Sequence, residues 1–181
     1  MRRSAAQHRI LDAALTLIAD HGVGGTSLQM IADAVGVTKA AVYHQFKTKE
    51  EIVIALTERE LGRLDDALEA AEAETSPPRA RQVLLTRVID MAIERRRAAA
   101  TLQFDPVIVR LLADHQPFQT FLTRLYGVLL GDAGDENRVS AAMLSGAIGT
   151  AVVHPLVTDI DDDELRAQLL LLTRRLLVLP E

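Results

Sequence analysis

The chain has 181 residues, with 25 Asp plus Glu against 20 Lys plus Arg and a formal net charge of -5. At 49% hydrophobic and 25% charged it can fold one or two globular domains around a sizeable core. The absence of Cys excludes disulfides, thiolate zinc sites and thiol nucleophiles, and the acidic total argues against nucleic acid, whose phosphates are held mostly by Lys and Arg.

Apolar residues recur every three or four positions almost throughout, and strand alternation is scarce, so the expected fold class is all-α with about nine helices. A first helix is expected over 4–20, ended by the glycines at 22–25. A second follows Thr26 or Ser27 as N-cap, places Leu28, Ile31, Ala32 and Val35 on one face, and stops at Gly36. A third is capped by Thr38 and runs to Gln45. A long fourth starts near Thr48, with Glu50 and Glu51 complementing its dipole, and breaks at Ser76-Pro77-Pro78. Further helices are expected over 79–100, 106–114, 117–130, 136–153 and 161–179. The uncharged stretch 139–158 is long enough for a bilayer, but its Ser, Gly, Thr and Pro residues fit close packing within a protein better. Arg9, Asp12 and Asp20 interrupt any signal-peptide core, and a cytoplasmic protein with no membrane partner is expected.

The second and third helices, joined by Gly36-Val37, have the form of a helix-turn-helix over about 27–46, in which a glycine turn lets a short second helix enter a major groove. The run GVTKAAVYHQFKTKEEI at 36–52, with IL-AA-LI at 10–18, Gly22 and Ile31-Ala32, resembles the recognition region of the tetracycline-repressor (TetR) family of regulators. The resemblance covers 4–64, which it makes a DNA-binding domain; 65–181 would be a ligand-sensing and dimerisation domain. The chain departs from the family at Ala40, usually Gly or Pro, and at Gln45, often His or Tyr. Carried over position by position, the resemblance implies that Thr38, Lys39 and Ala40 face base edges. Tyr43, His44 and Lys49 would hold phosphates, helped by Thr26 and Ser27 at the preceding helix N-terminus. Hydroxyl, imidazole and ammonium groups and helix N-termini are suitable phosphate donors. Val35, Val37, Val42 and Phe46 are expected in the core. Arg2, Arg3 and Arg9 form either an arm toward DNA or a solvated terminus.

Four of the six aromatics lie between 104 and 126. Either they fill a core, or Phe104, Phe118, Phe121, Leu122 and Tyr126, with Leu112, Met91 and Met143, line a cavity. The family resemblance implies the cavity, and the expected effector is a small apolar molecule with a polar handle that meets Tyr126 or a nearby Gln or Thr. In the last helix Leu165, Leu169, Leu172, Leu176 and Leu179 form a stripe, with apolar residues on two other sides as well. Together with the small residues Ala142, Ser145, Gly146 and Gly149 before it, this predicts a twofold four-helix homodimer interface.

The expected function is a homodimeric, ligand-responsive regulator, a repressor, on a palindromic operator of double-stranded DNA. One alternative is a DNA-binding protein whose second domain only dimerises or meets a protein partner; another is a helical enzyme. No cofactor, metal or catalytic residue is expected. The acids at 159–164 miss the Gly and Glu of a calcium loop and suit a helix N-terminus instead. Residues 1–49 hold six Lys or Arg against three Asp, a net of +3, which leaves -8 for the remainder. The acidic total thus conceals a basic reading head.

Overall fold

The computed structural model describes residues 3–131 and 135–177. Among them are ten α-helices: α1 (Ala5–Gly25), α2 (Leu28–Val35), α3 (Lys39–Gln45), α4 (Lys49–Glu72), α5 (Pro77–Glu94), α6 (Arg96–Phe104), α7 (Pro106–Ala113), α8 (Gln116–Leu130), α9 (Asp135–Ala151) and α10 (Asp162–Leu176). A 3-10 turn at Pro155–Val157 precedes α10. The all-α expectation holds. No described helix is long and apolar enough to cross a membrane, and the uncharged stretch near 139–158 is divided between the end of α9, the 3-10 turn and the links around them.

Local chemistry accounts for most helix ends. Ser4 and Gln7 close a capping box on α1, Ser27 and Thr38 accept the N3 amides of α2 and α3, and Asp161 accepts from Asp163 and Glu164 at the start of α10. Gly36 takes the left-handed conformation, φ 76, that ends α2. Two ends differ from expectation. The glycines do not stop α1; Gly22 kinks it, with φ 70 and ψ 169, and one further turn follows. The helix expected over 79–100 breaks at Arg95 into α5 and α6, where neither Gly nor Pro signals a stop.

The chain forms two compact units, one comprising Met1–Glu60 and Thr101–His115, the other Leu61–Ala100 and Gln116–Glu181. In the first, α1 packs on α2, α3 and α7, and α2 packs on α3. Leu11, Ile18, Ile31, Val42, Ile52, Leu56 and Ile108 are fully buried there. In the second, α5 packs against α8, α9 and α10 around Leu68, Leu84, Leu85, Ile89, Leu144 and Leu165. A simple division at 64/65 therefore misses one segment: α7 belongs with the N-terminal helices. Its buried Ile108 and Leu112 pack in the first unit, and Asp105 accepts a hydrogen bond from the Val23 N–H, 82 residues away. Spacing along the chain carries no trace of such a contact.

Candidate nucleic-acid interface

The helix-turn-helix is built by burying one face of each short helix. Ile31 and Ala32 of α2, Val42 of α3 and Phe46 just beyond it are within the unit, while Val35 and Val37 are half-buried rather than fully in the core. Seven-residue α3 then has an outward face. Thr38, Lys39, Ala40, Ala41, Tyr43 and His44 are all exposed. Thr38 Oγ1 accepts from the Ala41 N–H at 3.2 Å, which holds the hydroxyl at the start of the helix, ahead of Lys39 and Ala40. Tyr43 keeps 52% of its surface exposed, a large value for an aromatic side chain. The Lys47 ammonium lies 4.8 Å from the centroid of its ring.

The expected phosphate contacts divide. Tyr43, His44 and Ser27 are exposed, with the Ser27 hydroxyl capping α2. Thr26 is buried, and its hydroxyl donates to the Gly22 carbonyl, so it stabilises the end of α1 and is not presented outward. Lys49 is half-buried; its ammonium donates to the carbonyls of Val23 and Thr26, which engage two of its three protons. Arg3 is paired with Glu58, Arg9 donates to the Val35 carbonyl, and Arg2 lies outside the described residues. Lys47, two residues past the end of α3 and exposed, was not singled out by the motif. It lies beyond the extended Phe46, so its approach to the Tyr43 ring is made by the fold and not by helical spacing.

The residues expected to line an effector cavity fall in both compact units. Phe121 is buried in the core of the second unit, with Met91, Leu122 and Tyr126 packed partly buried against it, and Phe118 is half-buried. Burial raises the Tyr126 hydroxyl above its ordinary pKa, and a hydrogen bond with Ser145 opposes that rise. Phe104 and Leu112 belong to the other unit, the first 48% exposed and the second in its core, and Met143 is 58% exposed.

The expected dimer stripe is split. Leu165 and Leu169 are buried in their own unit, whereas Leu172 and Leu176, with Leu171, are exposed; Leu179 lies outside the described residues. Periodicity gives the stripe an angle but does not say which angle points inward, and this stripe straddles the edge of the buried face. On α9, Ala142 is exposed with Val139 and Met143, and a Cβ on half-buried Gly146 would meet nothing within 4 Å. Ser145 instead turns to Tyr126, and Gly149 is buried.

No group of three or more His, Asp or Glu able to hold a metal occurs among the described residues. Residues 10–56 match the family described as bacterial regulatory proteins, tetR family. The chain is 38% identical over 79 residues to the HTH-type transcriptional regulator BetI of Rhizobium meliloti (strain 1021), covering 44% of this chain and 39% of that protein. It is 30% identical over 125 residues to the HTH-type transcriptional repressor KstR2 of Mycolicibacterium smegmatis, covering 67% and 58%. The chain thus spans less than two thirds of the length of these curated relatives, which are regulators and not enzymes. Among solved structures it is similar to the fatty acid degradation regulator FadR from Bacillus halodurans, with a TM-score of 0.74 at 22% identity over 98% of this chain and 97% of that one. It also resembles FadR from Bacillus subtilis in complex with stearoyl-CoA, with a TM-score of 0.71 at 21% identity over 96% and 99%. With the matched segment spanning α2, α3 and the turn between them, the chain belongs to the tetR family of bacterial regulatory proteins.

Proposed function

We propose that the protein is a homodimeric transcriptional repressor that reads a palindromic DNA operator with α3 and leaves it on binding an apolar small molecule. One observation carries the DNA reading: the exposed face of α3 presents Thr38, Lys39, Ala40, Tyr43 and His44 on a helix whose opposite side is anchored by Val42. Lys39 and Thr38 supply donors for base edges, the Ala40 methyl suits a thymine methyl, and Tyr43, His44 and Lys47 suit phosphates. The net charge of +3 on residues 1–49 favours the approach of this end to a polyanion.

The homodimer is supported by α9 and α10, which pack together and each keep an exposed apolar face: Val139, Ala142 and Met143 on one, Leu171, Leu172 and Leu176 on the other. An effector is supported by the cluster of Phe121, Leu122 and Tyr126 on α8 with Met91 of α5, where the Tyr126 hydroxyl supplies a polar handle. That a protein of the same fold was solved with stearoyl-CoA makes an acyl thioester the first compound to try.

Enrichment of duplexes from a random library on the full chain tests the reading. The expected product is an inverted repeat with half-sites roughly 34 to 36 Å apart. Recovery of no palindrome would remove the DNA reading. Equal affinity for the recovered duplex with and without saturating stearoyl-CoA would remove that effector class, because a ligand acts only through different affinities for two states.

A further inference from the structure

Val23 follows the Gly22 kink, and its buried peptide is held from two directions. Its N–H donates to Asp105 Oδ2 at 2.8 Å, and its carbonyl accepts from the Lys49 ammonium. The other carboxylate oxygen, Asp105 Oδ1, accepts from Val107 at 2.8 Å and from Ile108 at 3.3 Å, which caps α7. One carboxylate therefore ties the first turn of α7 to the last turn of α1, and Lys49 ties that same turn to the first turn of α4. Thr26 and Ser27, where α2 begins, come directly after. Lys49 also bonds the Thr26 carbonyl.

We infer that Asp105 is a positioning residue for the helix-turn-helix, fixing the start of α2 through the Val23 peptide so that α7 governs how α3 is presented. The inference rests on the DNA-binding reading above. Helix capping alone does not need this arrangement: Asn and Ser cap as well as Asp, but only a carboxylate offers one oxygen to α7 and another to Val23. Gly22 is adapted to the same contact. Its φ of 70 disfavours any side chain, and a Cβ there would lie 3.3 Å from Asp105 Oδ2. Asp105, Val23 and Lys49 lie within one compact unit, so the link is internal to the DNA-reading body. It makes α7, together with α4 and its Lys49, a point through which a displacement would reach α2.

The test uses the full chain with Asp105→Asn and Asp105→Ser. The first has one acceptor oxygen in place of two; the second keeps a cap but does not reach Val23. Asp161→Asn is the control, because Asp161 caps α10 by the same chemistry through bonds to Asp163 and Glu164. Amide hydrogen exchange is measured without DNA, and affinity is measured for the duplex enriched on the unaltered protein. Both Asp105 variants are expected to exchange at least tenfold faster over 23–38 and to bind the duplex at least tenfold more weakly, with the control unchanged in both. Unchanged exchange over 23–38, faster exchange with undiminished DNA affinity, or an equal effect of Asp161→Asn would each overturn the inference. If the unaltered protein enriches no duplex, the DNA reading fails, while exchange over 23–38 still decides whether Asp105 holds the head.

Discussion

The Lys47 ammonium, just past the end of α3, lies 4.8 Å from the centroid of the exposed Tyr43 ring. The cation steadies the ring by an amount on the order of 0.5 to 1 kcal/mol for an exposed pair. On the proposed reading the two side chains would offer an O–H and an N–H₃⁺ to neighbouring phosphates. Lys47→Ala is expected to weaken DNA binding across all sequences and to lower the slope of log affinity against log salt by about 0.9, the counterion share of one phosphate. Tyr43→Phe is expected to weaken binding with little change in that slope. Anisotropy titrations at several salt concentrations measure both, and an unaltered slope in Lys47→Ala would take Lys47 off the interface.

Lys49 also braces the fold. Its ammonium satisfies the Val23 and Thr26 carbonyls where α1 ends, so removing it strands polar groups near the core. Lys49→Met is expected to lower the unfolding free energy by about 1 to 3 kcal/mol, the cost of leaving such groups unpaired. Urea unfolding followed by circular dichroism gives the value. Full stability combined with lost DNA affinity would return Lys49 to the phosphate contacts.

The split stripe of α10 separates assembly from folding. Leu172 and Leu176 are 57% and 48% exposed, so Leu172→Glu with Leu176→Glu is expected to yield a folded monomer. Leu169→Ala removes a core side chain and is expected to cost about 2 to 5 kcal/mol of stability. Sedimentation velocity read beside thermal unfolding distinguishes the two effects. A double variant that remains dimeric would move the interface elsewhere.

Tyr43 and Tyr126 are the only two tyrosines in the sequence. In Tyr43→Phe protein the tyrosinate absorbance therefore reports Tyr126 alone. Burial favours the neutral phenol more than the Ser145 bond favours the anion, so its midpoint is expected above the ordinary value of 10.0. The folded state then keeps its proton while the unfolded chain loses its own. This contribution to stability is complete below the unfolded pKa and is lost as pH rises through the folded one. A midpoint at or below the ordinary value would place Tyr126 in contact with water.

Much of this protein is legible without coordinates, and the reason is local. Helix periods, the caps at Ser27 and Thr38, and the left-handed stop at Gly36 depend on neighbours within a few positions, so α2, the turn and α3 follow from residue order. That Val42 and Tyr43 point to different sides of α3 follows from the same period. The basic head on an acidic body is a matter of counting. Tertiary structure decided what depends on distant partners. It placed α7 with the N-terminal helices through Asp105 and Val23, engaged Thr26 and Lys49 in bonds at the end of α1, and turned Leu165 and Leu169 toward the core and Leu172 and Leu176 away from it. A period of 3.6 residues fixes which side chains share a face; only packing against other helices decides what that face meets.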